Sequence, residues 1–148
     1  MLILNLPSFA HKISQNEGDL YIYDPFRKAK LKLTPEEWVR QHFLNYLVHH
    51  LHYPKGLIHS EIGLQYHKRA KRADIIVYSP DNGEPLILIE CKAPFIKISS
   101  RTLQQASVYF SQLKPKYIVL TNGMQHHYYK IENEVLQIHE LPSYNQVV

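Results

Sequence analysis

The stretch that most constrains this chain is Leu86-Ile87-Leu88-Ile89-Glu90-Cys91-Lys92-Ala93-Pro94. A short run of four aliphatic residues between a turn signal and a proline reads as a strand buried on both faces, the kind found inside α/β sheets. Neighbours on a strand point to opposite faces, so Glu90 and Lys92 share one face and Cys91 takes the other, where a thiol is inert. A carboxylate and an ammonium at the end of a buried strand are costly unless they are paired or bound to metal. Two readings follow: an ordinary ion pair where the strand emerges into water, or part of a working site.

Asp74 shifts the balance toward the site. It opens a second apolar strand, Asp74-Ile75-Ile76-Val77, and Pro80-Asp81-Asn82-Gly83 is a strong turn between the two. Asp74 lies eight residues before Asn82 and Glu90 eight after it. In a regular antiparallel hairpin the two carboxylates face each other, with Lys92 beside them. Hard oxygens from Asp74 and Glu90 and the backbone carbonyl of Cys91 suit Mg²⁺, for which Mn²⁺ is the expected substitute. Such a cation lowers the pKa of a bound water and stabilises charge on a phosphodiester oxygen. Lys92 would hold the nucleophilic water or stabilise the phosphorane.

The rest of the chain supplies a frame. Alternation over residues 20–33 around Asp24-Pro25 predicts a hairpin whose Lys28, Lys30 and Lys32 face solvent. Thr34-Pro35-Glu36-Glu37 is a helix start, and Trp38, Phe43, Leu44, Leu47, Val48 and Leu51 predict an amphipathic helix to about His52. Strands are expected at 57–66, 73–78, 86–92 and 116–121, a helix at 99–113, and a hairpin over 124–131 and 134–139. The connection from strand 86–92 through helix 99–113 to strand 116–121 is a βαβ crossover, expected to be right-handed. The fold class is therefore α/β, a mixed sheet flanked by helices with hairpin additions at both ends. With 148 residues, 45% of them hydrophobic and 20% charged, a single domain over 1–148 is expected, its core at about 34–132.

Several classes are excluded or weakened. No apolar run approaches the roughly 18–20 residues of a membrane span. The N-terminus has no basic region, and Asn5 and Pro7 interrupt its apolar stretch, which argues against a secretory signal. One cysteine allows no internal disulfide, and a cytoplasmic setting is expected. The ten histidines, among them His49, His50, His52, His126 and His127, lack zinc-site spacing and read as surface or packing residues. The formal charge of +4 is compatible with an anionic partner. Lys68, Arg69, Lys71 and Arg72 cluster immediately before Asp74, either as a solvated loop or as a phosphate-contacting edge.

Five stretches in order carry a wider likeness: Pro35 to Gln41, Lys71-Arg72-Ala73-Asp74-Ile75, Ile89 to Pro94, Gln105 to Tyr109, and Thr121-Asn122-Gly123. Together they resemble the PD-(D/E)XK nuclease superfamily, and within it the N-terminal nuclease domain of type I restriction enzyme R subunits and its short stand-alone relatives. Ala73 stands where the motif's first proline would be. The resemblance implies a restriction-endonuclease-like αβββαβ core and a metal-dependent DNA endonuclease. It implies Asp74 and Glu90 as metal ligands, Lys92 as the catalytic lysine, and a helix glutamate, Glu37 or Glu36, completing the metal site; the alternative for both is simple helix-dipole stabilisation. Gln105 and Tyr109 match a motif following the catalytic lysine; Gln105 would orient that lysine or contact DNA, and Tyr109 would contact DNA. The alternative for Gln105 is a plain polar helix surface. R subunits continue into an ATP-driven translocase, but this sequence has no Gly-x-x-x-x-Gly-Lys-Ser/Thr loop. Three functional readings stay open: a nuclease (a homodimer if it cuts both strands), a non-catalytic DNA-binding or interaction module, and a nuclease active only with a separate motor or specificity subunit.

Overall fold

A computed structural model of the chain describes residues 1–60, 73–110 and 113–148, without the side chains of Gln105 and of residues 107–110. The expected hairpin is present as β2 (Asp19–Asp24) and β3 (Ala29–Lys32). Asp24 makes its turn, its Oδ1 accepting from the backbone N–H groups of Phe26 at 2.7 Å and Arg27 at 3.1 Å. A strand with no apolar alternation to announce it, β1 (Ile13–Asn16), adds to β2 and completes a small antiparallel sheet.

Helix α1 (Pro35–His49) starts as its sequence dictates: the Thr34 hydroxyl accepts from the Glu37 N–H at 3.0 Å, and Pro35 needs no partner in the first turn. It is not amphipathic, however. Every residue from Glu37 to Asn45 is buried. The physical reason is a second cover. One side of α1 packs on the main sheet, and the N-terminal segment closes over another. Trp38 Nε1 donates to the Leu2 carbonyl at 2.8 Å, and the Phe9 ring stands 4.7 Å from that of His42. The polar residues so enclosed find internal partners, as buried polar groups must: Asn45 Nδ2 donates to the Gln41 carbonyl, and His42 Nδ1 bonds the Trp38 carbonyl, both at 2.8 Å.

The main sheet runs β4 (Ile58–Ser60), β5 (Ile75–Tyr78), β6 (Pro85–Cys91), β7 (Tyr117–Thr121), β8 (His126–Ile131) and β9 (Val135–Ile138), in that spatial order. Among the described strands only the β6–β7 pair is parallel, and α2 (Ser100–Phe110) lies between them in sequence. A short α3 (Tyr144–Val147) follows. Of the expected strand 57–66, Ile58–Ser60 form β4, Leu57 closes a 3-10 turn (Lys55–Leu57), and residues 61–66 lie outside the described residues. Strand β6 is buried on both faces, as its aliphatic run requires. Ile87, Ile89 and Cys91 join Val39, Phe43, Leu44 and Leu47 of α1 in one core. Leu88 joins Ile76, Ile118, Leu120 and Ile98 in a second core, against which Leu103 and Ala106 of α2 pack. Among the described residues no helix is long and apolar enough to cross a membrane.

One glycine ties the N-terminal cover down. Gly123 has φ +85°, and a Cβ there would lie 3.0 Å from both Leu4 methyl carbons and 3.1 Å from Val39 Cγ2. Gly123→Ala is expected to cost more than about 1 kcal/mol in urea unfolding, through backbone strain and displaced packing. An unchanged or raised midpoint would contradict this close approach.

The histidines take packing roles where they are buried. Thr121 Oγ1 and the Asn5 carbonyl hold the two ring nitrogens of His126 at 2.7 and 2.8 Å. Burial lowers the pKa of His126, and likewise of His42, below the ordinary value of 6.5. With a depressed folded pKa, the unfolded state takes up protons first. Stability is therefore full above about pH 6.5 and falls as the pH drops toward the folded values. The expected result is a melting temperature that declines from pH 7.5 to 6.0, and a smaller decline in His126→Asn. A flat profile over that range would contradict it.

Candidate active site at the ends of β5 and β6

The turn between β5 and β6 closes as its residues predict. Asn82 Oδ1 accepts from the Glu84 N–H at 2.9 Å, and Gly83 takes φ +72°. Pairing runs Ile75↔Ile89, Ile76↔Leu88 and Val77↔Ile87, with a bulge between Val77 and Tyr78. Carried one step past Ile75↔Ile89, this register sets Asp74 across from Glu90, as the symmetric spacing about Asn82 predicts. Asp74 sits at a bend just before β5 and does not continue the ladder. Its Oδ2 instead accepts from the Cys91 N–H at 2.7 Å, fastening the carboxylate to the last residue of β6.

Glu90 and Lys92 share the face opposite Cys91 and are paired, Lys92 Nζ to Glu90 Oε2 at 3.2 Å, both half-buried. The Lys92 backbone N–H donates to the Thr121 carbonyl at 2.8 Å, which holds the residue beyond β6 against the end of β7. Burial pulls the Lys92 ammonium pKa down, but the charges of Glu90, Asp74 and Glu36 outweigh it and the net shift is upward. Lys92 is therefore a cation at neutral pH. Cys91 is fully buried, and desolvation pushes its thiol pKa well up, so it is a packing residue and not a nucleophile. Cys91→Ser is accordingly expected to destabilise the fold, and iodoacetamide to label the native protein far more slowly than the urea-unfolded chain.

The residue that sequence reasoning missed is Arg40. It comes from α1, is 5% exposed, and stands among three carboxylates. Nη2 lies 3.0 Å from Asp74 Oδ1 and 3.1 Å from Glu36 Oε1, and Nη1 bonds Glu37 Oε1. Burial opposes its charge, but Asp74 and Glu37 outweigh that and raise its pKa further. A signal was present in the sequence. Arg40 lies three, four and seven residues before Phe43, Leu44 and Leu47, on the apolar stripe itself, where an arginine requires buried acids.

The two helix acids differ sharply. The Glu37 side chain is 4% exposed and both its oxygens are engaged, Oε1 by Arg40 and Oε2 by Gln41 Nε2 at 2.9 Å. Desolvation raises its pKa despite Arg40. The Glu36 side chain is 45% exposed, and its charge acts on both Cys91 and Lys92. The structure thus brings together Asp74, Glu90, Lys92, Cys91 and the helix acids. Lys68, Arg69, Lys71 and Arg72 lie outside the described residues, as do the side chains of Gln105 and Tyr109. Thr121-Asn122-Gly123 has a bracing part. Asn122 is buried; its Oδ1 accepts from the N–H groups of Met124 and Gln125, and its Nδ2 donates to the Ile96 carbonyl at 2.8 Å. That bond secures the turn after Lys92, at whose tip Phe95 is 77% exposed.

A family model described as type I restriction enzyme R protein N terminus matches residues 35–144. The chain belongs to this family. The match takes in every described residue of the R-protein-like site, from the α1 acids to the Asn122 brace. No curated protein and no solved structure gives a significant match to the chain.

The donors at this R-protein site fit a hard divalent cation in kind. Asp74 keeps one lone pair on each oxygen after its two hydrogen bonds, its Oδ2 is tied to the backbone of Cys91, and the register sets Glu90 across from it. Among the described residues no group of three or more His, Cys, Asp or Glu side chains is disposed to hold a metal. A cation here would therefore draw further ligands from the Cys91 carbonyl and from water, as Mg²⁺ habitually does.

Proposed function

We propose that this chain is a metal-dependent deoxyribonuclease of the PD-(D/E)XK type, hydrolysing phosphodiester bonds at Asp74, Glu90 and Lys92. The observation that carries this reading is the Lys92 ammonium, held beside Glu90 at the end of a strand buried on both faces and kept charged by Glu90, Asp74 and Glu36. Its place in a restriction-enzyme family supports DNA as the substrate. Around the site Glu36, Glu37 and Asp74 meet Arg40, and Glu90 meets Lys92.

Mg²⁺, with Mn²⁺ as a substitute, would be held by Asp74, Glu90 and the Cys91 carbonyl, and supplies a lowered water pKa and a counter-charge for phosphate oxygen. Of the two helix acids, Glu36 is the one we assign to this centre: it meets Arg40 through Oε1 and is largely exposed, whereas both Glu37 oxygens are engaged, by Arg40 and by Gln41, and its side chain is buried. Lys92 would donate hydrogen bonds, orienting the attacking water or stabilising charge that develops on the phosphorane. Lys68, Arg69, Lys71 and Arg72 would contact phosphates, and Gln105 and Tyr109 would serve lysine orientation and DNA contact.

The test is a nicking assay on supercoiled and linear DNA with Mg²⁺, Mn²⁺ or EDTA, alone and with candidate motor and specificity subunits, since the matched family is named for one protein of a larger enzyme. Metal-dependent cutting that Glu90→Gln abolishes is the expected result. Salt-dependent DNA binding with no cutting under any of these conditions, unaffected by Glu90→Gln, would favour a binding module instead.

A further inference from the structure

We infer that Arg40 is the positioning residue of the site, and that Glu37 acts on Asp74 only through it. The inference rests on the nuclease reading of Asp74. A continuous chain of polar contacts crosses from the helix to the sheet. Gln41 Nε2 donates to Glu37 Oε2, Arg40 Nη1 bonds Glu37 Oε1, Arg40 Nη2 donates to Asp74 Oδ1, and the Cys91 N–H donates to Asp74 Oδ2. Both Asp74 oxygens are thereby held from outside, one by α1 and one by the end of β6. Asp74 needs such a clamp because it sits on a bend outside the β5 ladder, where no strand pairing among the described residues fixes its backbone.

The planar guanidinium suits this task, since one group spans Glu36, Glu37 and Asp74 in fixed directions and a lysine cannot. Glu37 and Gln41 hold Arg40 as a carboxylate holds a metal-ligating histidine, orienting a group that touches the ligand and not the metal itself. The same contact has an electrostatic cost. A positive charge 3.0 Å from Asp74 Oδ1 competes with any cation at that carboxylate. Arg40 therefore trades cation affinity for orientation.

That trade gives a signature which a purely structural residue lacks. In Arg40→Met, Mn²⁺ binding followed by electron paramagnetic resonance is expected to tighten at least about threefold, because the competing charge is gone. Single-turnover cleavage at saturating Mn²⁺ is expected to fall about 10²-fold, because Asp74 is no longer held. Weaker or unchanged Mn²⁺ binding by the folded variant, or undiminished cleavage, overturns the inference. Removing a buried charge also threatens folding, so Arg40→Lys is the second variant. It keeps the charge and loses the fork: Mn²⁺ affinity is expected to stay within about twofold while cleavage falls about tenfold. Wild-type cleavage by Arg40→Lys likewise overturns it. If the wild-type protein neither binds Mn²⁺ nor cuts DNA, the nuclease reading fails by itself. The clamp is then read from a urea double-mutant cycle of Arg40→Met and Asp74→Asn, in which additive effects refute it.

Discussion

Lys92→Met is expected to lower the rate of DNA cleavage by at least about 10²–10³-fold, the usual loss when a donor aimed at transition-state charge is removed. The melting temperature should move by no more than a few degrees. The two expectations separate because the side chain and the backbone of Lys92 do different jobs. Its N–H bonds the Thr121 carbonyl and helps join β6 to β7, and methionine keeps that bond. Among the described residues its ammonium pairs with a half-buried Glu90, an interaction of small worth to the fold. Methionine also preserves much of the stem's volume. Glu90→Gln should behave alike in cleavage, since it weakens both the pairing with Lys92 and the proposed metal site. Paired measurements of single-turnover rate and thermal unfolding check the argument. A Lys92→Met protein that cuts at the wild-type rate would remove the lysine from the chemistry, and one that fails to fold would make it structural.

Phe43→Ala is expected to destabilise the protein by about 3–5 kcal/mol. For a chain of this length that is a fall of about 10 °C in melting temperature. Phe43 is fully buried on α1, in the core shared with Ile87, Ile89 and Val119, and its ring lies 5.6 Å from that of Tyr46 and 6.3 Å from that of His126. The cost combines lost transfer energy with a cavity that an evenly buried helix has little freedom to collapse. Leu136→Ala is the comparison. Leu136 is 44% exposed on β9, and its truncation should stay within about 0.5 kcal/mol. Urea unfolding should shift in midpoint with an unchanged slope. A Phe43 effect as small as that of Leu136 would mean that α1 is not docked as described, and with it the placement of Glu36, Glu37 and Arg40.

Much of this architecture is written locally. The β6 run shows itself because four aliphatics in a row suit only a strand covered on both sides. The site register shows itself because Asn82 and Gly83 dictate where the hairpin turns. The bulge between Val77 and Tyr78 is part of that register: a ladder carried back unbroken from Tyr78↔Pro85 would set Asp74 against Ile89, and the skipped Leu86 moves the level to Glu90. Strand β1 escaped notice for the opposite reason. Ile13-Ser14-Gln15-Asn16 has no alternation, and only pairing with β2 makes it a strand.

Helix α1 marks where local reading ends. Its start and spacing follow from Thr34, Pro35 and the apolar periodicity, but its second cover comes from Leu2, Leu4 and Phe9, which lie about thirty residues upstream. Adjacent residues on a helix point in directions about 100° apart. Nothing in Glu36-Glu37 therefore reveals which acid turns inward until the neighbours of the helix are known. Tertiary packing buries Glu37 with Gln41 and leaves Glu36 beside the charges of the site.

Arg40 is the sharpest case, because its partner Asp74 is 34 residues away on another element. The alternation of β6 puts Glu90 and Lys92 on one face and the turn at Asn82 brings Asp74 near their level, because strand period and turn chemistry act over a few residues; the bulge at Val77 and Tyr78 completes the register. The clamp on Asp74 is decided only in three dimensions, because a buried cation is tolerated wherever the fold happens to gather enough carboxylates around it.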